Sequence, residues 1–244
     1  MKISLLDAGK RFNREWIFRH LNYEFFPGEH YAITGPNGSG KSTLLQVIAG
    51  AMMHNEGQIT YEVYPGSEMR DTGYGIRDKA SNFEIASPDQ KLSTTSPETL
   101  HPVSRIPYQK IAEHYKYIAF SAPYLELIEE MTATEFLSFH SKFKPLTAGI
   151  IEILEETSLA SAATKQIRYF SSGMKQRLKL AQAFFSDTPV LLLDEPATNL
   201  DAEGIKLYHN LVEKYAKTKL VIVSSNDEEE YDFCKEVIRI GDYK

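Results

Sequence analysis

Residues 35–43 read Gly35-Pro36-Asn37-Gly38-Ser39-Gly40-Lys41-Ser42-Thr43, a complete G-x-x-x-x-G-K-[ST] pattern, set between a strand-like Tyr31-Ala32-Ile33-Thr34 and a helix-like stretch from Leu44 to Ala51. A strand that runs through a glycine turn into a helix belongs in an α/β architecture, and this turn is of the kind that holds phosphate. The glycines at 35, 38 and 40 let the backbone curl, so that successive N–H groups point into one concavity. The helix that follows adds the positive end of its dipole at the same place. In such a loop Lys41 reaches the β- and γ-phosphates of a nucleotide, and the Ser42 hydroxyl is a ligand for Mg²⁺. Pro36, Asn37, Ser39 and Thr43 complete the cradle. An ordinary glycine turn between strand and helix is the plainer alternative, but it gives no reason for Lys-Ser in register.

The rest of the composition narrows the setting. At 244 residues the chain has room for one large domain, or a domain with a subdomain, around a proper core. Hydrophobic content of 42% and charged content of 25% suit a soluble globular protein. A net charge of −6 weighs against a general nucleic-acid or anionic-membrane surface, since both need a basic face, and no nucleic-acid partner is expected. One cysteine, Cys234, rules out an internal disulfide and a cysteine metal cluster and fits a reducing compartment. The stretch Met1 to Asp7 lacks the apolar core of a signal peptide. No apolar run reaches the roughly 18 residues that span a bilayer.

Periodicity organises the remainder. Residues 2 to 34 mix alternating positions (Ile3, Leu5; Tyr23, Phe25) with a Pro27-Gly28 turn, which predicts short strands; Ile59, Tyr61 and Val63 alternate as one more. From Tyr64 to about Tyr108 the chain is rich in Pro, Gly, Ser, Thr and Asp, a polar insertion over 64–110 that serves as a solvated loop or as a contact for a partner or regulator. Residues 132–167 are predicted to form an inserted helical subdomain, opened by Thr134 to His140 and continued by Ile150, Ile151, Ile153 and Leu154. From 170 onward helix and strand alternate as in a largely parallel sheet, with Val190–Leu193 and Leu220–Val223 apolar enough to be buried on both faces. Residues 1–131 and 168–244 would then make one nucleotide-binding core with an antiparallel β part.

The strand Val190–Leu193 ends in Asp194-Glu195-Pro196, at the carboxyl end of a parallel strand, where ligands bind in such sheets. Asp194 is placed to hold a Mg²⁺ complex from the side opposite Ser42, and Glu195 to polarise a water for in-line attack. Upstream, in Ser171-Ser172-Gly173-Met174-Lys175-Gln176-Arg177, either serine suits the cap of a helix whose stripe Met174, Leu178, Ala181 and Phe185 faces a core. A plain N-cap is the simple account of that stretch.

The succession of phosphate loop, helical insertion, Ser-Ser-Gly-Met-Lys-Gln-Arg and Leu-Leu-Leu-Asp-Glu-Pro-Ala-Thr-Asn-Leu-Asp resembles the ATP-binding cassette ATPases over nearly the whole chain outside about 64–110. The resemblance implies a P-loop cassette that binds ATP and Mg²⁺. It also implies a head-to-tail pair, in which Ser171, Ser172 and Gly173 of one cassette close over the ATP on the phosphate loop of a second copy or a related cassette. Asn199-Leu200-Asp201 resembles the family's loop that touches the partner cassette. Phe12, 29 residues before Lys41, resembles the aromatic that stacks on adenine, with Trp16 as the fallback.

The chain also departs from the family pattern. Ser172 stands where glycine is usual and Met174 where glutamine is usual, so weaker signature contacts are expected. After Leu220–Val223 comes Ser224-Ser225-Asn226-Asp227 in place of the usual histidine, so Asn226 can donate a hydrogen bond to the γ-phosphate but carries no proton or charge. No glutamine occurs in Ala119–Leu125, where the family's link to the membrane partner is expected. Two behaviours follow: hydrolysis with Glu195, Lys41 and Asn226 in the catalytic roles, or slow turnover with ATP serving mainly to close the dimer. The function implied is the ATP-hydrolysing subunit of an ABC transporter, with a signature that looks more like exporter-type subunits than importer ones, held at the cytoplasmic face by an integral membrane subunit. A soluble cassette ATPase in assembly or regulation is the alternative. A P-loop kinase or GTPase would leave the signature and Asp194-Glu195 unexplained.

Overall fold

The computed structural model describes residues 1–63, 109–110 and 112–244, and most of the polar stretch 64–110 lies outside the described residues. Two sheets make the frame. In the antiparallel one, β1 (Lys2–Phe12) and β2 (Glu15–Phe25) form a hairpin; β4 (Glu56–Val63) flanks β1 and the two-residue β5 (Gln109–Lys110) flanks β4, giving the order β2-β1-β4-β5. The hairpin corrects the expectation of short strands, since each of its strands is 11 residues long. The reason is local: register shifts between Leu5 and Ala8 and beyond, with positive φ at Asp7 (52°) and His20 (55°), break the alternation of buried positions by which a long strand is recognised.

The second sheet carries the site. It is parallel throughout, in the order β6 (Ile118–Ser121), β7 (Val190–Asp194), β8 (Leu220–Ser224), β3 (His30–Thr34) and β9 (Glu236–Arg239). Every residue of β7 and β8 is buried, as their unbroken apolar runs require. Val190 and Leu192 face a core between the two sheets that includes Phe18, Phe25, Tyr31 and α1 (Lys41–Ile48). Leu191 and Leu193 face the opposite core, under α4 (Ser172–Phe184) and α5 (Ala202–Tyr215). At about 1.5–3 kcal/mol for each fully buried aliphatic side chain, this two-sided packing is what fixes the central strands.

Within 132–167 the structure has α2 (Ala133–His140), α3 (Ile150–Glu156) and short 3₁₀ turns. A capping box starts α2: Thr132 Oγ1 accepts from the Glu135 N–H at 3.2 Å, and Glu135 Oε2 accepts from the Thr132 N–H at 2.8 Å. Phe136, Leu137, Ile153 and Leu154 join the core of Leu178, Phe184 and Leu191. The acidic run Asp227-Glu228-Glu229-Glu230 after β8, which by its charge alone reads as a solvated helix start, departs from that expectation. It forms only a 3₁₀ turn, Glu228–Glu230, and Glu230 is buried because its carboxylate reaches back under the loop after β7.

Candidate nucleotide site

Four neighbouring parallel strands deliver their carboxyl ends to one rim: β6 brings Ser121 to Tyr124, β7 brings Asp194 and Glu195, β8 brings Ser224 to Asn226, and β3 brings the loop 35–40. Ser224 pairs in register with Asp194 on one side and Ile33 on the other. The sheet therefore gathers residues that are over 150 positions apart in sequence.

The loop adopts the curled form its glycines allow, with positive φ at Gly35 (150°), Gly38 (74°) and Gly40 (105°). A Cβ on Gly35 would lie 2.8 Å from Ser39 Oγ, and one on Gly40 would lie 2.1 Å from Ile17 Cγ2, so β2 presses directly on the loop. Pro36, Asn37 and Gly38 form an exposed tip, while Ser39 is buried. Lys41 opens α1 and is only 4% exposed; its ammonium donates to the Gly35 carbonyl at 2.8 Å and the Pro36 carbonyl at 3.4 Å. A cation folded back onto the loop's own carbonyls is a charge available to an incoming phosphate. Ser42 and Thr43 follow in the first turn of α1, half-buried.

Buried polar atoms without partners mark the same rim. Among the described residues there are five such side-chain atoms, and four of them are Ser39 Oγ, Ser121 Oγ, Asp194 Oδ1 and Ser224 Oγ. Native structures leave few such groups unpaired, so a cluster of them points to a polar ligand. A glycine cradle, a lysine within it and an unpaired carboxylate oxygen fit a Mg²⁺–nucleotide complex. Ser42 and Asp194 would offer such a metal a hydroxyl and a carboxylate, and no group of three or more His, Cys, Asp or Glu that could hold a metal occurs among the described residues. Nucleotide oxygens and water would supply the other ligands, as Mg²⁺ prefers.

Glu195 is half-buried with φ at +43°, uncommon for a side chain with a Cβ, and its N–H donates to the Ser224 carbonyl at 2.9 Å. Asn226 is exposed just past β8. Phe12 lies at the hairpin end of β1, 46% exposed, with the Lys10 ammonium 5.0 Å from its ring centre. Trp16 is already covered, with the guanidinium groups of Arg11 and Arg19 at 5.4 and 4.5 Å and Gly9 beneath its edge. At the start of α4, Ser171 caps the helix by accepting from the Met174 N–H at 3.2 Å; Ser171 and Ser172 are exposed. A Cβ built on Gly173 would lie 3.1 Å from the Asn199 carbonyl oxygen.

Sequence reasoning overlooked Tyr124. Its hydroxyl accepts from Gln46 Nε2 at 2.9 Å and lies beside Asp194; burial first, and the Asp194 carboxylate after it, push the phenol up to about 12. Gln46 follows Ser42 by one helical turn, so the two share a face of α1. That spacing was the available signal. The loop without a glutamine thus brings a hydroxyl to the rim.

A glycine cradle at a strand-to-helix turn, an acidic strand end beside it and the strand order β6-β7-β8-β3 define a phosphate-loop nucleotide-binding fold of the cassette class. A family model described as ABC transporter matches residues 18–198, most of the chain, and the chain belongs to that family, as an ATPase-type cassette. Among its relatives, the uncharacterized ABC transporter ATP-binding protein YybJ of Bacillus subtilis (strain 168) is 25% identical over 95% of this chain and 89% of its own length. The linearmycin resistance ATP-binding protein LnrL of the same organism is 27% identical over 96% of this chain; the matched part spans 64% of LnrL, and of a third relative, YdbJ, 63%. Among solved structures, an ATP-binding subunit of an ABC transporter superposes with a TM-score of 0.68 at 20% identity, covering 99% of this chain and 87% of its own. The dimeric bacterial ABC transporter cassette MJ0796 gives 0.67 at 21% identity, covering 98% and 95%. Both likenesses are of fold.

Proposed function

We propose that this chain hydrolyses ATP as one half of a head-to-tail pair of cassettes, and that opening and closing of the pair drives a separate membrane-spanning subunit. The observation that carries the reading is the convergence of Lys41, Ser42, Asp194 and Glu195 on one rim lined by unpartnered polar atoms. Phe12 stacks on adenine through the exposed part of its ring. The loop N–H groups and Lys41 take the phosphates, Lys41 exchanging the Gly35 and Pro36 carbonyls for phosphate oxygens. Ser42 and Asp194 would hold Mg²⁺, which would supply positive charge to the phosphate groups. Glu195 orients the attacking water and accepts its proton, and Asn226 donates an amide hydrogen to the γ-phosphate. The Ser171–Gly173 turn of a second copy closes the site; its exposed position and the free N–H groups at the start of α4 support that role.

Among the described residues no helix is long and apolar enough to cross a membrane. We assign the spanning function to another subunit and place this chain on the cytoplasmic face of the membrane. The loop after β6, which the resemblance connects to that subunit, lines a groove of about 700 Å³ with Pro123, Tyr124, Leu127 and Glu129 on one side and Lys175 and Lys179 of α4 on the other. The resistance named for LnrL and the form of the signature support export as the direction.

Steady-state phosphate release from the wild type and from Glu195→Gln, with light scattering to follow dimer formation, tests this function. The variant should turn over at least about 100-fold more slowly while still forming an ATP-dependent dimer. Equal rates would overturn the role given to Glu195. Recovery of the chain only in soluble complexes, never with a membrane protein from detergent extracts, would overturn the transporter assignment in favour of a soluble assembly factor.

A further inference from the structure

The peptide unit between Pro196 and Ala197, directly after Glu195, is held at both of its polar atoms by buried side chains from different elements. On one edge Gln176, one turn into α4 and 2% exposed, donates through Nε2 to the Pro196 carbonyl at 2.7 Å. On the other, Glu230, 5% exposed, accepts the Ala197 N–H through Oε1 at 2.7 Å. Glu230 is itself anchored, since its main-chain carbonyl takes the Tyr208 hydroxyl at 2.7 Å, while its Oε2 is buried and unpartnered. That carboxyl lines a cavity of about 330 Å³ together with Glu195, Thr198 and Asn226.

The held peptide lies between two strained points, Glu195 (φ +43°) and Asn199 (φ +66°), which persist only where surrounding contacts enforce them. The same helix α4 meets this turn twice more. Gly173 approaches the Asn199 carbonyl, and Arg177 Nη2 bonds Asp201 Oδ1 at 2.9 Å.

We propose that Gln176 and Glu230 are positioning residues for Glu195. By holding opposite edges of one peptide they fix the direction of the Glu195 side chain, and through Gln176 they tie it to α4, whose Ser171–Gly173 start serves the nucleotide of a second copy. The orientation of the general base in one site is thereby coupled to the seating of the signature turn in the other. The inference rests on the role given to Glu195 above. Simple satisfaction of buried polar groups would also explain the two bonds, but it predicts a loss of stability without a selective effect on turnover.

The test measures kcat and KM for ATP hydrolysis, affinity for a fluorescent ATP analogue and melting temperature in Gln176→Leu, Glu230→Leu, Glu230→Gln and the double leucine variant. Each leucine variant should lower kcat at least about tenfold with KM and nucleotide affinity within about threefold of wild type. Glu230→Gln keeps an acceptor for the Ala197 N–H and should stay within about threefold of wild type in kcat. Because both side chains act through one peptide, the double variant should lose no more than the worse single one. Multiplying losses, kcat values equal to wild type, or a lowered melting temperature with kcat unchanged would overturn the inference. Should Glu230→Leu not fold, Gln176→Leu beside Glu230→Gln carries the same contrast. A wild-type chain that does not hydrolyse Mg²⁺–ATP would instead sink the function proposed for Glu195.

Discussion

Ile17 and Gly40 are in such close contact that a Cβ on Gly40 would fall 2.1 Å from Ile17 Cγ2, inside any allowed approach, at a residue whose φ is +105°. The antiparallel hairpin is thus the wall against which the phosphate loop is moulded. Gly40→Ala must displace that wall and adopt a backbone region unfavourable to side chains, a strain of about 1–3 kcal/mol. The expected outcome is a lower melting temperature together with weakening of ATP binding by about tenfold or more, measured by isothermal titration. Gly38→Ala, with nothing within 4 Å of its Cβ, carries only the cost of its φ of +74° and should be the milder change.

The two aromatic rings of the hairpin should separate in their effects. Phe12 is open to solvent and Trp16 is covered by Arg11 and Arg19. Stacking of a base on an aromatic ring contributes about 1–3 kcal/mol, so Phe12→Ala should weaken ATP binding roughly 5- to 150-fold. Trp16→Ala should leave nucleotide affinity nearly unchanged while lowering stability, through lost packing on Gly9. The reverse ranking would move the adenine site to Trp16.

Tyr124→Phe removes a hydroxyl held by Gln46 and placed beside Asp194 without changing the size of the ring. The Mg²⁺ concentration needed for half-maximal turnover should rise several-fold, about 1 kcal/mol, as one hydrogen bond beside the metal-side carboxylate is lost. Metal-free ATP binding should be unaffected. A Mg²⁺ requirement identical to wild type would show that the hydroxyl has no part in the site.

His140 sets a pH dependence of stability. Its Nε2 lies 2.9 Å from Ser186 Oγ, and that hydroxyl gives its own proton to the Gln182 carbonyl at 2.7 Å, so the ring is the donor and is neutral with Nε2 protonated. Burial first, then the Lys144 ammonium, lower its pKa from the ordinary 6.5 to about 4. The folded chain therefore binds fewer protons than the unfolded chain across that window, and stability present above pH 6.5 is lost as the pH falls toward 4. In His140→Gln, thermal melts between pH 7 and 4 should show a shallower decline. An unchanged slope would show that another group dominates.

The phosphate loop, the acidic end of β7, the signature helix and the two-sided burial of β7 and β8 were legible in the chain because each depends on nearby residues: glycine freedom, a serine cap, an unbroken apolar run. Three features were not. The length of β1 and β2 was hidden by bulges, since positive φ at Asp7 and His20 interrupts the alternation that periodicity detects. Tyr124 joined the rim because β6 is the strand beside β7, and strand order is set by packing between distant segments. Glu230, in an acidic run that looked solvated, is buried because the Ala197 N–H three residues beyond Asp194 needs an acceptor there. The amino-acid order alone thus determined which polar groups stand in the glycine loop and at the end of β7. Only the tertiary structure decided which side chains aim them, because hydrogen bonds across elements are formed between positions that share no local pattern.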